Sequence, residues 1–379
     1  MQSLREATIS AACRLLSLLF LPFTRRKVPA RISSVLIIKP CCIGDVLLAT
    51  AAITQLRQHF PDAKLSLAVG PWAKPAVMNN PRLDELIDFG PGLKGYLEMV
   101  KKARSRKFEA CLVLERSPLL TLLPFLAGIP HRIGIDSGGR GFSLTAKVPW
   151  KGTTHEAELY LEVARALGVA VERPRLEFFP SDAEIRWAEE TLAPLLAARP
   201  AHLVAVHPGG GENPGMRLIA KRWPTERYAE LARWLTGKGA AVLLVGASAD
   251  LELAEAVKQE VAPSKALLDL TGATTLGQLG ALLQRCDLFV GNDTGPMHLA
   301  VAVGTPVVAL FGPSHPATYG PFGDRSRAIY EGIPCSPCFL KGRYNRACHN
   351  PECMRAITVP EVQEAVTEIL RQPNPVRSV

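Results

Sequence analysis

Arg285-Cys-Asp-Leu-Phe-Val-Gly-Asn-Asp-Thr-Gly-Pro-Met-His298 runs on through Leu299-Ala-Val-Ala-Val-Gly-Thr-Pro306 into Val307-Val-Ala-Leu-Phe-Gly-Pro-Ser-His-Pro316. Asp287 to Gly291 and Val307 to Phe311 are short apolar runs without alternation, which is how strands covered on both faces of a parallel sheet read. One short helix fits between them. Pro296 suits its first position because it has no N–H to lose, Thr294 or Gly295 can cap it, and Gly304 with Thr305-Pro306 ends it. The turn Asn292 to Gly295 therefore lies at the carboxyl end of a strand and the amino end of a helix, where free backbone N–H groups favour an anion, a phosphate first of all. Asp293 and Thr294 read equally well as ordinary caps, and His298 as a half-buried helix residue.

The same grammar recurs at both ends of the chain. Val35 to Ile38 is a buried strand running into Lys39-Pro-Cys-Cys-Ile-Gly-Asp45 and a helix Val46 to His59, followed by a strand Lys64 to Val69. Gly44 gives the turn its freedom and Asp45 sits at the helix start. In the second half a strand Leu203 to Val206 leads into Gly209-Gly210-Gly211, a helix from about Glu226 to Leu235 and a strand Ala241 to Val245. Two strand–loop–helix–strand openings predict an α/β chain of two Rossmann-like, doubly wound parallel-sheet domains facing each other across a cleft. The 379 residues suffice for two cores. The expected division is an N-terminal domain over 28–178 and a C-terminal domain over 179–357, with the polar stretch Arg173 to Asp182 as linker and a last amphipathic helix within 358–379.

Charge separates the halves. Through Pro180 there are 25 Lys and Arg against 15 Asp and Glu, and beyond it 19 against 20, so the net charge of +9 belongs to the first half. The basic residues are scattered and form no nucleic-acid module, which leaves an anionic membrane surface or a phosphorylated acceptor as partner. Arg132 and Arg140 flank a loop expected over Gly134 to Gly141; either they hold acceptor phosphates or they are plain surface. Residues 1–27 contain an apolar stretch, Ile9 to Phe23, interrupted by Arg14 and followed by Arg25-Arg26-Lys27. It reads as too short to span a bilayer and lacks a signal-peptide cleavage site, so an interfacial helix is expected, the alternative being a helix that packs on the protein.

Taken together, Ile43 to Val46, Lys221 to Trp223 and the Asp293 turn resemble glycosyltransferase family 9, the ADP-heptose:lipopolysaccharide heptosyltransferase family, from Val35 to about Leu370. The resemblance implies the GT-B arrangement, the last helix packing back across the first domain, and an inverting, metal-independent transfer of heptose from ADP-heptose to a lipopolysaccharide inner-core acceptor. It implies a cytoplasmic enzyme at the inner-membrane surface, acting on an anionic lipid-linked glycan, with no nucleic-acid partner. It implies Asp45, of the Gly44-Asp45 pair, as the general base. A carboxylate at a helix amino end is stabilised as the anion and so is a weak base, which matters less when the sugar carbon is already cationic at attack. Asp45 as a simple N-cap is the bland alternative. Asp293, Thr294, Gly295 and His298 match family positions at the sugar nucleotide.

Departure of a nucleoside diphosphate builds charge on phosphate oxygens. No Asp-x-Asp pair exists to hold a divalent metal, so Lys221, the backbone amides of Gly209, Gly210 and Gly211, and the helix at Pro296 are expected to meet that charge. Glu252 or Asp250, after a strand end, could bind ribose hydroxyls. No complete Gly-x-Gly-x-x-Gly follows a strand, which disfavours a dehydrogenase. Two rival readings stay open: the same chemistry with another nucleotide sugar or acceptor, and a catalytically inactive nucleotide-binding module for assembly. Of nine cysteines, Cys13, Cys41, Cys42, Cys111 and Cys286 read as reduced residues in apolar surroundings. Cys335, Cys338, Cys348 and Cys353 could complete a structural zinc or iron–sulfur site, or be free thiols.

Overall fold

The computed structural model describes residues 2–24, 29, 31–213, 216–261, 266–339, 348 and 350–372, with backbone alone for 2–6, 212, 213, 216 and 217. The basic cluster Arg25, Arg26 and Lys27 lies outside the described residues. The chain forms two compact units, Met1–Arg175 and Leu176–Val379.

The first unit runs α1 (Gln2–Thr24), β1 (Ser34–Ile38), α2 (Ile43–His59), β2 (Lys64–Val69), β3 (Glu85–Asp88), α3 (Gly92–Arg106), β4 (Ala110–Val113), α4 (Pro118–Leu126), β5 (His131–Asp136), β6 (Ala146–Pro149) and α5 (Glu156–Ala166). Its six strands lie in the order β3-β2-β1-β4-β5-β6, all parallel. Val35 of β1 registers with Leu65 of β2 and Ala110 of β4, which makes β1 central and apolar on both faces. On one face Leu36, Ile38, Cys111 and Val113 pack with Met99 and Ala103 of α3 and Leu123 of α4. Helices α2 and α5 pack together and cover the other face. Every residue from Val46 to Leu56 is buried, which explains why α2 has no polar stripe.

The expected loop over Gly134 to Gly141 is half strand. Gly134 sits inside β5, where a Cβ would meet the Val113 carbonyl oxygen at 2.8 Å, so this glycine serves close strand packing rather than mobility. Arg132 is not available for a phosphate. It is buried and donates to the carbonyls of Ser143, Ile129 and Phe23.

Helix α1 is also longer than the apolar stretch suggested: 23 residues, of which Ala7–Thr24 have a mean hydropathy of 1.5 and are long and apolar enough to cross a membrane. One side packs on its own unit, with Cys13 buried and Phe20 meeting Phe125 and Phe142 edge-on at 4.8 and 5.1 Å. Leu15, Leu18, Leu19 and Phe23 stay exposed.

The second unit runs α6 (Asp182–Leu196), β7 (Leu203–His207), a short ladder of β8 (Glu212–Asn213) and β9 (Met216–Arg217), α7 (Thr225–Gly237), β10 (Ala241–Leu244), α8 (Leu251–Glu260), β11 (Leu267–Asp269), α9 (Leu276–Gln284), β12 (Leu288–Asn292), α10 (Gly295–Ala302), β13 (Val307–Phe311), α11 (Pro316–Tyr319), β14 (Ser326–Tyr330), α12 (Glu352–Ala356) and α13 (Val359–Leu370). Its main sheet, in the order β11-β10-β7-β12-β13-β14, repeats the doubly wound pattern of the first. Helices α6 and α9 open with complete capping boxes, Ser181 with Glu184 and Thr275 with Gln278, and at α13 the Glu361 carboxylate accepts from the Thr358 N–H and hydroxyl.

The resemblance sends the last helix across the first domain, but its apolar side joins the second unit's core. Val359, Val362, Val366 and Ile369 of α13 cluster there with Trp223, Tyr228, Val290 and Leu310. The Trp223 indole N–H donates to the Ile357 carbonyl at 3.0 Å and ties the segment down.

Candidate functional site

In each sheet the strand order reverses between the first strand and the one that follows the third crossover: between β1 and β4 in the first unit, between β7 and β12 in the second. Carboxyl ends of strands at such a reversal leave a crevice for ligands. Both groups of candidate residues stand at these ends.

In the first unit, β1 runs into Lys39 and the turn to α2. The helix begins at Ile43, two residues earlier than Asp45, with Cys42 at the cap position and no side-chain capping bond. Asp45 is therefore a residue of the first turn and not the N-cap. Gly44 lies in the helix as well; the left-handed backbone of the turn belongs to Cys42, at φ 71°.

The Asp45 carboxylate keeps about a third of its surface exposed, and Lys39 Nζ lies 3.2 Å from its Oδ2. That ammonium also donates to Glu115 Oε1 at 2.6 Å. Burial works against the charge on Lys39, yet Asp45 and Glu115 together hold its pKa well above the ordinary lysine range. Around this trio stand Tyr160, whose ring lies 5.5 Å from Lys39 Nζ, and Arg116, paired with the buried Glu156 and stacked 4.5 Å above Trp150. Burial raises the Glu156 carboxyl, against the pull of Arg116. The sequence reading missed Lys39, Glu115, Arg116 and Glu156. Glu115 and Arg116 follow β4 directly, so their place at the carboxyl end of the strand beside β1 was the signal available.

In the second unit Lys221 ends a short 3-10 turn, Ile219–Lys221, and is buried. Its ammonium lies 2.5 Å from Asp293 Oδ2 and donates to the Asp293 carbonyl at 3.2 Å. Ser314, in the loop after β13, donates its hydroxyl to the same carboxylate oxygen, and the Phe339 ring lies 5.0 Å from the ammonium. Asp293 is thus a partner of Lys221, beyond the capping role open to it. Thr294 caps α10 with its backbone alone, and its hydroxyl lies 3.4 Å from His207 Nδ1. Gly295 opens α10, and His298, one turn on, is buried.

Asn292 ties this turn to the glycine loop. Its side-chain amide donates to the Gly209 carbonyl at 2.8 Å while its oxygen accepts the Trp223 N–H at 3.2 Å. The glycines are required by space. A Cβ on Gly209 would meet Asp250 Oδ2 at 2.5 Å, and Gly211, at φ 79°, faces Thr294. Asp250 is buried and bonded to the Ala247 N–H at 3.1 Å, with Arg222 at 3.3 Å and His207 at 3.7 Å. Burial alone would raise its carboxyl; His207, the Ala247 amide and Arg222 outweigh that and hold it below the usual aspartate range. Asp250 is therefore an internal strut. Glu252 is exposed on the first turn of α8.

The four late cysteines differ in exposure. Cys335 is exposed, whereas Cys353 is buried against Gly312, where a Cβ would meet its sulfur at 2.8 Å. Burial, then the nearby Cys338, Cys335 and Cys348, push the Cys353 thiol up to about 11. Among the described residues no three His, Cys, Asp or Glu side chains form a metal-holding group. Cys338 and Phe339 instead donate backbone N–H groups to the Pro313 carbonyl at 2.8 and 2.7 Å, seating Phe339 beside Lys221.

The sequence profile described as Glycosyltransferase family 9 (heptosyltransferase) matches residues 96–349. The chain belongs to this family. Lipopolysaccharide heptosyltransferase 2 of Salmonella typhimurium is 30% identical over 312 residues, 78% of this chain and 87% of the relative. Lipooligosaccharide heptosyltransferase 2 of Haemophilus influenzae is 29% identical over 312 residues, 78% and 88%. The structure of E. coli ADP-heptose lps heptosyltransferase II superposes with a TM-score of 0.70 at 25% identity, covering 89% of this chain and 98% of that one. This family 9 chain is a glycosyltransferase, and the two doubly wound units expected from its sequence are present.

Proposed function

We propose that this glycosyltransferase moves a heptose from ADP-heptose, with inversion, to an anionic lipid-linked acceptor of the lipopolysaccharide inner core, at the cytoplasmic face of the inner membrane. The acceptor hydroxyl attacks the anomeric carbon, the bond from that carbon to the diphosphate oxygen breaks, and the hydroxyl proton passes to Asp45. ADP leaves with the electron pair of the broken bond. The observation that carries the reading is the Lys221–Asp293 pair at the amino end of α10, beside the Gly209 loop. Lys221 and the backbone amides of this helix end and of the glycine loop suit a leaving diphosphate without a divalent cation.

Asp45 is the only carboxylate in the first turn of α2. With Lys39 Nζ 3.2 Å from its Oδ2, it is placed to accept a proton late, after the sugar carbon has become cationic. Gly44 lets the acceptor approach the helix start without a side chain. Gly209, Gly210 and Gly211 offer backbone amides to the diphosphate, Thr294, Gly295 and His298 line the sugar nucleotide, and Glu252 reaches the ribose. The exposed leucines of α1 support a membrane surface as the place of reaction.

Asp45→Ala tests this. ADP-heptose should still raise the melting temperature of the variant, while transfer falls by about 10²–10⁴-fold, the range of a lost general base. A binding module for assembly would show no transfer in the native chain, and a nucleotide sugar that stabilises more than ADP-heptose would replace the donor.

A further inference from the structure

Next to Asp45 the turn carries two adjacent thiols that the transfer reaction does not use. Cys41 and Cys42 were expected in apolar surroundings; Cys41 is exposed and Cys42 only half-buried. Their sulfurs lie 2.8 Å apart, and Cys42 adopts a left-handed backbone that side chains seldom take. Neither thiol caps α2.

We propose that Cys41 and Cys42 are a thiol–disulfide modification site that switches off the α2 turn when the two sulfurs join. This rests on the reading of Asp45 as the base. The oxidant class is a low-molecular-weight disulfide. Cys41, as thiolate, attacks one sulfur of that disulfide; the external S–S bond breaks and one thiolate leaves, taking up the proton Cys41 gave away. Cys42, deprotonated in turn, attacks the Cys41 sulfur and displaces the second thiolate. The two cysteines lose two electrons, and the external disulfide is reduced to two thiols.

The pair is prepared for the first step. A shared S–H bond lowers the Cys41 thiol and raises that of Cys42, so the exposed sulfur is the one that ionises first. The consequence for Asp45 follows from how the turn is anchored. Upstream, the Pro40 carbonyl accepts the Gly70 N–H at 2.9 Å, and even a methyl group on Gly70 would collide with that oxygen, at 2.5 Å. Downstream, the Cys42 carbonyl accepts the Val46 N–H, at 3.0 Å, within the first turn of α2. Ring closure between the side chains therefore displaces the helix start, and with it the 3.2 Å pair of Lys39 and Asp45.

The full chain is treated with glutathione disulfide, its remaining thiols are alkylated under denaturing conditions, and the peptide carrying both residues is weighed. The proposal expects that peptide two hydrogens lighter and without alkyl groups, with transfer lost and then restored by dithiothreitol. Cys42→Ser should retain transfer before treatment and, after it, carry glutathione on Cys41 with no ring, because the resolving thiol is gone. Two alkyl groups on the peptide, or glutathione retained on Cys41 with Cys42 alkylated, overturns the site. If the ring forms and transfer continues unchanged, the switch is overturned, while the reading of Asp45 as base is decided separately by Asp45→Ala.

Discussion

Lys221 Nζ and Asp293 Oδ2 lie 2.5 Å apart with both side chains buried, so the cation assigned to the leaving diphosphate is already matched by a carboxylate in the free protein. Stability and catalysis can therefore be separated at this pair. Lys221→Met leaves the carboxylate buried with Ser314 as partner and should cost about 3–5 kcal/mol. Adding Asp293→Asn should recover most of that loss in urea melts. Transfer should not recover: the double variant should stay at least about 10²-fold slow, as for removal of one transition-state donor. Recovery of both together would make Lys221 a structural residue only.

Gly209 and Gly237 make a paired test of the glycine loop. A methyl group at 209 meets Asp250 Oδ2 at 2.5 Å, whereas at 237, the last residue of α7, it meets nothing within 4 Å. Gly209→Ala should destabilise by about 1–3 kcal/mol through overpacking and should weaken ADP binding. Gly237→Ala should stabilise by about 0.4–1 kcal/mol by restricting the unfolded chain, with ADP affinity unchanged. Isothermal titration of ADP against both variants distinguishes a loop that must fit closely from one that merely bends.

Trp223 joins the Lys221 segment to the last two helices. Trp223→Phe keeps most of the buried ring but removes the 3.0 Å bond to the Ile357 carbonyl. A loss of about 0.5–1.5 kcal/mol is expected, the worth of one hydrogen bond, since the Ile357 carbonyl still accepts from Arg227. Hydrogen exchange should rise across α13 more than across α6. Equal rises would mean that α13 is held by its apolar contacts alone.

The sheet interiors were legible in the sequence because buried parallel strands are uninterrupted apolar runs. Val35 to Ile38, Leu203 to Val206 and Val307 to Phe311 could be read directly. The edges were not: β3 is Glu-Leu-Ile-Asp, β6 ends in proline and β14 is half-exposed, so each lacks the apolar run that marks a central strand. Glycine misled twice, at Gly134, which allows close packing inside a strand, and at Gly44, which is helical while Cys42 makes the turn. Motif positions such as Asp45, Lys221 and Asp293 could be singled out because short stretches around them resemble the family's motifs. Their partners could not, because Glu115 pairs with Lys39 across 76 residues and Ser314 with Asp293 across 21.

At the far edge of the first sheet, Glu85 of β3 provides a check by acid. Its carboxylate accepts from Arg106 at 2.6 Å and pairs with Lys64 at 2.9 Å, and these cations, Arg106 foremost, lower its pKa from 4.5 to about 2. A carboxyl lowered on folding adds stability above its unfolded value and loses it as the pH falls through the folded one. The contribution should thus be complete at pH 7, decline below 4.5 and be gone near 2. Half of Lys64 and a third of Arg106 face solvent, which screens the pair to about 1 kcal/mol. Glu85→Gln should therefore lower the urea midpoint at pH 7 and change it progressively less as the pH drops from 4.5 toward 2. A midpoint difference that persists unchanged through that range would assign the loss to packing of the edge strand and not to charge.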